Sequence, residues 1–397
     1  MTDPSQASRT VQSRMVYLLA IASFASTSAI RVLDPAIPEL SREFGISTGD
    51  AGDVMMAFSL TYGVMLFLYG PLGDRWGKYK VLTLAMLACA VSNLLIACSD
   101  TFAGLIAGRM FAATTGAAIV SLSMAWIGDH VPYEERQTTL AQFTIGSILG
   151  ITTGQFVGGV FTDTVGWRGA FYFLSVIYVI VGALLWSQRR YAQELPGPDI
   201  RLSRLFSPIG TVLASRWARL VLLTILFEGA VVFGVISYVP AYLQDRHGMN
   251  AAMAGAITSL FAVGAFAYVF RAKWLIGRLG ETSMVRLGGM TLLCCYLLYL
   301  FTSSAVWAIV AAIATGFAYY LVHAVLQTNA TQMTPAVRGT AVALSSSCLL
   351  LGQALGVWLG GLIADAWGLG WILIVAMFSV PLFTFWFAYR LPKVRSM

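Results

Sequence analysis

Five ionisable side chains stand inside long apolar stretches of the sequence: Arg31, Asp34, Arg109, Glu228 and His323. A charge at mid-bilayer costs about 3 kcal/mol on insertion scales, so each marks a path for a proton, an ion or a polar solute. Arg31 and Asp34 are one helical turn apart with Pro35 next in line, an acid and a base placed to pair on one face. A carboxylate held by an arginine stays ionised until water or a solute displaces the arginine. Such a group can alternate between proton and substrate. Arg109, about two turns in from the end of its own stretch, is a candidate second cation for Asp34. Glu228 has no charged residue at helical spacing: Thr224 is weakly polar, and Ile225, Val231 and Val232 are apolar. That isolation makes Glu228 the leading candidate either to carry the proton or to recognise a cationic solute. His323 can relay a proton, or serve only as a hydrogen-bonding group with Gln327 and Asn329 below it. Aromatic residues share these stretches (Phe24, Phe111, Phe227, Phe233, Tyr238, Phe317, Tyr319, Tyr320), where they suit a greasy pocket or face lipid.

The elements that must position these groups are membrane-spanning helices. Residues are 58% hydrophobic and 11% charged, with mean hydropathy +0.76. Soluble chains carry about a quarter charged residues, so this is an integral membrane protein. A helix needs about twenty apolar residues to cross the hydrocarbon core. That length predicts spans at 15–38, 51–72, 80–98, 102–128, 138–162, 167–187, 218–243, 251–271, 284–303, 305–330, 338–365 and 370–391. The five ionisable residues fall on the first, fourth, seventh and tenth of these, and the others carry none away from their ends. A polar linker, 188–217, separates a first set of six (15–187) from a second (218–391), with short tails at 1–14 and 392–397.

Placing both termini in the cytoplasm puts all but five of the 25 Lys and Arg residues in cytoplasmic segments or adjoining helix ends. The exceptions are Arg42, Arg168 and Arg246 outside, and Arg31 and Arg109 within spans. This is the asymmetry of the positive-inside rule. The net charge of +7 forms no basic stripe interleaved with aromatics, which excludes nucleic acid. The five cysteines lie in or beside apolar runs without C-x-x-C spacing, as packing residues rather than a metal site or disulfide framework. The first span is too long for a cleaved signal peptide. No G-x4-G-K-[ST] cassette and no catalytic constellation is present, so the chain is neither an enzyme nor by itself an ATP-driven pump.

The two sets repeat. Gly150, Gly154, Gly158, Gly159, Asp163 and Gly166 recur as Gly352, Gly356, Gly360, Gly361, Asp365 and Gly368, always 202 residues on, and Arg136 recurs as Arg338. With Gly146, the glycines make a smooth stripe four residues apart that permits close helix contact. A turn between the second and third spans reads Gly70-Pro71-Leu72-Gly73-Asp74-Arg75-Trp76-Gly77-Lys78-Tyr79-Lys80. Its small residues allow close backbone approach, and Arg75, Lys78 and Lys80 hold it on the cytoplasmic side. Asp74 is expected at the N-terminal end of span 11, near Gly339 and Thr340, when that side is closed. The second half has a basic turn at the matching place, Arg271 to Gly280, without the Asp-Arg pair.

This turn resembles, at every defining position, the G-x-L-[GAS]-D-R-x-G-[KR]-x-[KR] signature of the major facilitator superfamily. The resemblance implies an all-α membrane protein with twelve transmembrane helices in two pseudo-symmetric six-helix bundles, helices 1, 4, 7 and 10 lining a central cavity. The fifth span resembles the G-x3-G-x3-G-P-x2-G-G run of proton-coupled drug exporters, with Gln155 where that family has proline. Its glycines either serve antiport or only pack the helix against the other bundle. Arg109 stands where the family has R-x-x-Q-G, and only the arginine is kept. The implied function is a drug:proton antiporter-like secondary transporter that exports a small amphipathic or organic solute by alternating access. A proton-coupled importer or facilitator of a metabolite is one alternative, and a transporter-like solute sensor is another. The implied partners are a small-molecule substrate, protons and the lipid bilayer. No cofactor or metal is implied, activity is expected of a monomer, and the expected location is a bacterial inner (plasma) membrane.

Overall fold

Side-chain oxygens start several of the helices. Ser47, Thr101, Ser215 and Asn250 each accept a hydrogen bond from the backbone N–H three residues on, which satisfies one of the donors that a helix start leaves unpaired. Glycines at positive φ separate helices at Gly77 (89°), Gly166 (84°), Gly280 (70°) and Gly368 (94°), a backbone region where a side chain is strained. The structure is a computed structural model that describes the backbone of residues 4–189, 207–301 and 304–395. It also describes the side chains there, apart from those of 4–13, 70, 71, 133, 134, 137, 141 and 207. The middle of the expected 188–217 linker, parts of both expected tails and the surroundings of Gly70 lie outside the described residues.

The described residues form twelve long helices and no strand. In the first half these are α1 (Pro4–Arg31), α2 (Thr48–Trp76), α3 (Lys78–Ala97), α4 (Phe102–His130), α5 (Tyr133–Thr164) and α6 (Trp167–Gln188). In the second, α7 comprises Arg216–Glu228, a π-helix at Gly229–Gly234, and Val235–His247. The apolar run Ala251–Phe301 is 51 residues long, about 76 Å if straight, or twice what a bilayer needs. Gly280 breaks it into α8 (Ala251–Ser259 with 261–279) and α9 (281–301). Then follow α10 (Ala305–Gln332), α11 (Arg338–Trp367) and α12 (Leu369–Arg395).

The helices make two pseudo-symmetric six-helix bundles, as expected. In the first, α1 packs on α5, α2 and α3 on α4, and α3 on α6; in the second, α7 packs on α11, α8 and α9 on α10, and α9 on α12. The bundles meet along two equivalent seams, α2 with α11 and α5 with α8. Two spans depart from the expected straight helices. The first stops at Arg31, and a 3-10 turn (Asp34–Ala36) and a short helix (Ile37–Phe44) follow. Pro35 and Pro38 lack the N–H that a continuing helix needs, so the axis breaks there. The seventh contains the π-helix, which fits one extra residue into the turn.

The glycine stripes correct one expectation. Gly146, Gly150, Gly154 and Gly158 do not face the other bundle. A Cβ on them would strike the backbone of Ala20, Phe24 and Ser28 of α1 and of Val32 just after it, in the same bundle. Likewise Gly352 and Gly356 of α11 lie against Leu226 and Ala230 of α7. The partner pairs Phe24/Leu226 and Ser28/Ala230 keep the 202-residue offset. The register fails at the next pair, where Gly158 meets Val32 but Gly360 meets the ring of Tyr238. The slip coincides with the π-helix. Of the stripe glycines, Gly159 and Gly361 reach across, to Ala251 of α8 and Gly49 of α2 respectively.

Hydrogen bonds between the bundles cluster on the side away from the chain ends, here the far side. Asp163, at the end of α5, accepts from the backbone N–H of Ala251 (3.1 Å) and Ala252 (2.7 Å) at the start of α8. Asp365, at the end of α11, accepts from the N–H of Gly49 (2.8 Å) and from Ser47 Oγ (2.7 Å) at the start of α2. These are one contact made twice under the repeat, a carboxylate against the positive end of a helix in the other bundle. Gln244 also donates to the carbonyl of Pro35 at 2.8 Å. The far side is therefore closed.

Each carboxylate latch is expected to contribute about 0.3–1 kcal/mol to that closure. With Cys98 and Cys294 replaced by serine and a reporter thiol at the buried Ala36, Asp163→Asn or Asp365→Asn should speed maleimide labelling about two- to fivefold, and the double variant by the product. A labelling rate unchanged in the double variant would rule the latches out.

Candidate functional site

Asp34 owes its position to the break in α1. Its Oδ2 accepts from Arg31 Nη1 at 3.0 Å and from Gln155 Nε2 of α5 at 3.1 Å, all three side chains being buried. Arg31 continues past Asp34 into the second bundle. The same Nη1 donates to Ser237 Oγ (2.9 Å) and to the carbonyl of Phe233 (3.3 Å), with the guanidinium 4.8 Å from the Phe233 ring centroid. The expected Arg31–Asp34 pair is thus present, and it also ties α1 to α7. Arg31 Nη2 and Asp34 Oδ1 are buried and have no hydrogen-bond partner among the described residues.

Arg109 makes no hydrogen bond to Asp34, although its charge acts on that carboxylate as expected of a second cation. Its Nη1 donates to the carbonyl of Ala29 at 2.7 Å, and its guanidinium stacks 3.9 Å from the Phe58 ring centroid. Its polar contact is thus with the α1 backbone before the break, and its action on Asp34 is through charge alone. The aromatic face supplies part of the stabilisation that solvent would give the cation. Its Nε and Nη2 remain buried without a hydrogen-bond partner among the described residues.

Glu228 is not isolated, which is the second correction. Its Oε2 lies 2.9 Å from His323 Nδ1 on α10, and its side chain is 1% exposed against 16% for the histidine. Reading along one helix cannot find a partner that a neighbouring helix supplies. His323 stacks on Tyr319 with ring centroids 4.8 Å apart, and Tyr319 meets the Phe233 ring edge-on, also at 4.8 Å. Asn329 instead binds Trp217 (3.0 Å) and Arg395 (2.9 Å), and Gln327 is exposed. Of the expected pocket aromatics, Phe111 and Phe227 are exposed, and Tyr238 is buried with its hydroxyl on the carbonyl of Val357. Phe317, Tyr319 and Tyr320 gather around Tyr268 and His323.

The turn motif organises the near side. Asp74 pairs with Lys78 at 3.1 Å, and Lys78 also binds Asp129 at the end of α4. A Cβ on Gly73 would overlap Leu122 of α4, and Lys80 is exposed. In this state of the molecule Asp74 binds within its own bundle. The second copy keeps the geometry and reverses the charge: Glu281 follows Gly280 as Lys78 follows Gly77, and it pairs with Arg395 at 2.9 Å. Sequence reasoning missed Gln155 and Ser237 as partners of the charged pair. The signal for Gln155 was its place where the resembled motif has proline. Ser237 carried none.

Most of the chain, residues 19–344, matches the family model of the Major Facilitator Superfamily. An MFS-type transporter of Bacillus subtilis strain 168, YybF, is 23% identical over 260 residues, 65% of this chain and 64% of that protein. The chloramphenicol resistance protein of Streptomyces lividans is 25% identical over 260 residues, 64% of each chain. The chain therefore spans just under two thirds of both relatives. Among solved structures, a bacterial homolog of the human lysosomal transporter Spinster, in an inward-facing and unoccupied conformation, superposes with a TM-score of 0.80. That match covers 97% of this chain and 98% of the other at 17% identity, a likeness of fold.

Gln155→Leu should remove one hydrogen bond from a buried carboxylate at a cost of about 1 kcal/mol. Gln155→Glu should cost more, because it sets a second carboxylate beside Asp34. Thermal unfolding of the two variants in detergent checks the order, and equal midpoints would show that Gln155 does not support Asp34.

Proposed function

Because this chain belongs to the major facilitator superfamily of membrane transporters, we propose that it is a secondary transporter that exports a small amphipathic organic solute in exchange for protons. The observation that carries this reading is the pair of acid–base contacts at buried carboxylates, Asp34 with Arg31 at the end of α1 and Glu228 of α7 with His323 of α10. Each contact has a base that a proton or a solute can displace. In each, one carboxylate oxygen is buried without a partner among the described residues. Two such sites on the helices that face each other across the bundle junction suit a cycle in which bound protons and solute exchange as the bundles rock. The similarity to a chloramphenicol resistance protein favours export. The basic residues of the near side favour placing it in the cytoplasm, so the closed far side faces out. A bacterial inner membrane and a working monomer fit this reading.

Glu228 with His323 is assigned the coupling proton, shared between a carboxylate and an imidazole rather than held on a lone acid. Two measurements test the assignment. In inside-out vesicles with a preformed pH gradient, added solute should release protons from the lumen and dequench an acid-sensing dye. No response to any of a broad solute panel would favour the sensor reading. Glu228→Gln, a fixed mimic of the protonated form, should keep solute binding in a thermal-shift panel while transport loses its dependence on pH between about 5 and 8. A wild-type pH profile in Glu228→Gln would pass the coupling role to Asp34.

A further inference from the structure

Arg31 and Phe233 stand 202 residues apart, the offset of the internal repeat, and they touch across the junction of the two bundles. The contact joins the end of α1 to the middle of α7. The two halves fill the position differently. On α1 it is the last helical residue before the 3-10 break, and on α7 it lies in the π-helix that starts just after Glu228. Carbonyl groups in this π-helix carry additional side-chain donors. Tyr296 Oη donates to Val231 at 2.8 Å, and Arg31 and Ser237 both donate to Phe233. Two close-packed glycines bound it, Gly229 against Leu349 and Gly234 against Gly356 of α11.

Contacts run without interruption from one charged pair to the other. Asp34 binds Arg31; Arg31 holds both the carbonyl and the ring of Phe233; the Phe233 ring meets Tyr319 edge-on; Tyr319 stacks on His323; and His323 binds Glu228. We propose that Phe233 is a positioning residue that couples the two pairs. Its carbonyl and ring hold Arg31 across the junction and so help to close the far side, and its ring edge fixes the Tyr319–His323 stack and so the bond to Glu228. Loosening of the Glu228–His323 bond is felt by Arg31 through this one side chain. The inference rests on the transporter reading, but its test follows only the opening of the far side and does not require a solute to be moved.

The test is a double-mutant cycle at fixed pH on the protein in nanodiscs. The reporter is maleimide labelling of Ala36→Cys, with Cys98 and Cys294 replaced by serine. Ala36 is fully buried in the 3-10 turn beside Asp34. His323→Gln should speed labelling about threefold or more, a coupling typical of contacting residues. Phe233→Leu should label fast already, and adding His323→Gln to it should change nothing further. Phe233→Tyr, which keeps the ring, should restore both the slow rate and the response to His323→Gln. Should Phe233→Leu fail to fold, Tyr319→Leu replaces it in the same cycle one contact further on. Equal acceleration by His323→Gln with and without the Phe233 ring would overturn the proposal. So would a wild-type labelling rate in Phe233→Leu.

Discussion

An ion in hydrocarbon must be neutralised where it stands, and most of what is particular to this molecule follows from doing so twice. Asp34 is held by a guanidinium and an amide, and Glu228 by an imidazole. The Asp34–Arg31 solution uses backbone geometry that an uninterrupted α-helix does not give. The 3-10 break beside Pro35 lets Asp34 be reached from α5 as well as from its own helix. The π-helix after Glu228 gives Arg31 a carbonyl to hold. A guanidinium suits this junction because its planar fork can serve a carboxylate, a hydroxyl and a carbonyl and still lie over an aromatic ring. An ammonium, as a compact point charge, offers no such plane.

The sequence made the architecture legible because membrane physics leaves few alternatives. Apolar runs of the right length become helices, basic residues sort to one side, and a 202-residue offset in glycine and aspartate positions gives two like bundles. The charged residues were legible for the same reason, since lipid does not tolerate them without cause. Their partners were not. His323 and Glu228 are 95 residues apart, and helical spacing along α7 says nothing of what α10 brings beside it. Arg109 was assigned to Asp34 by charge, and its charge does act there, but the Ala29 carbonyl and the Phe58 ring that hold it were not legible. The glycine stripe was found, but its direction depends on helix rotation, which composition does not encode. The π-helix was invisible, because Gly229 and Gly234 suit close packing as well as altered winding.

The repeat also separates what the two halves share from what each keeps to itself. The far-side aspartates obey the offset together with the helix starts they bind, so either half alone would specify the other. The central position and the near-side turn do not. Arg31 faces Phe233, and Lys78 has become Glu281 with Arg395 as its counter-ion. Symmetry persists where the task is to hold two bundles together. It is lost where one side must differ from the other.

Gly159 and Gly361 give the seams a mechanical character. At both glycines the facing backbone comes close, whereas elsewhere on α2 side chains are lodged against glycine, Leu350 and Leu351 of α11 on Gly63 and Tyr238 of α7 on Gly52. Interdigitated helices move in steps, since each knob must lift out of its hole before it can settle in the next. A bare crossing has no such teeth. It behaves as a plain bearing, on which one bundle can roll over the other through small angles while contact is kept. Friction is then low at these two glycines, and resistance to rocking falls on the lodged side chains and polar clasps around them, which can be undone one at a time.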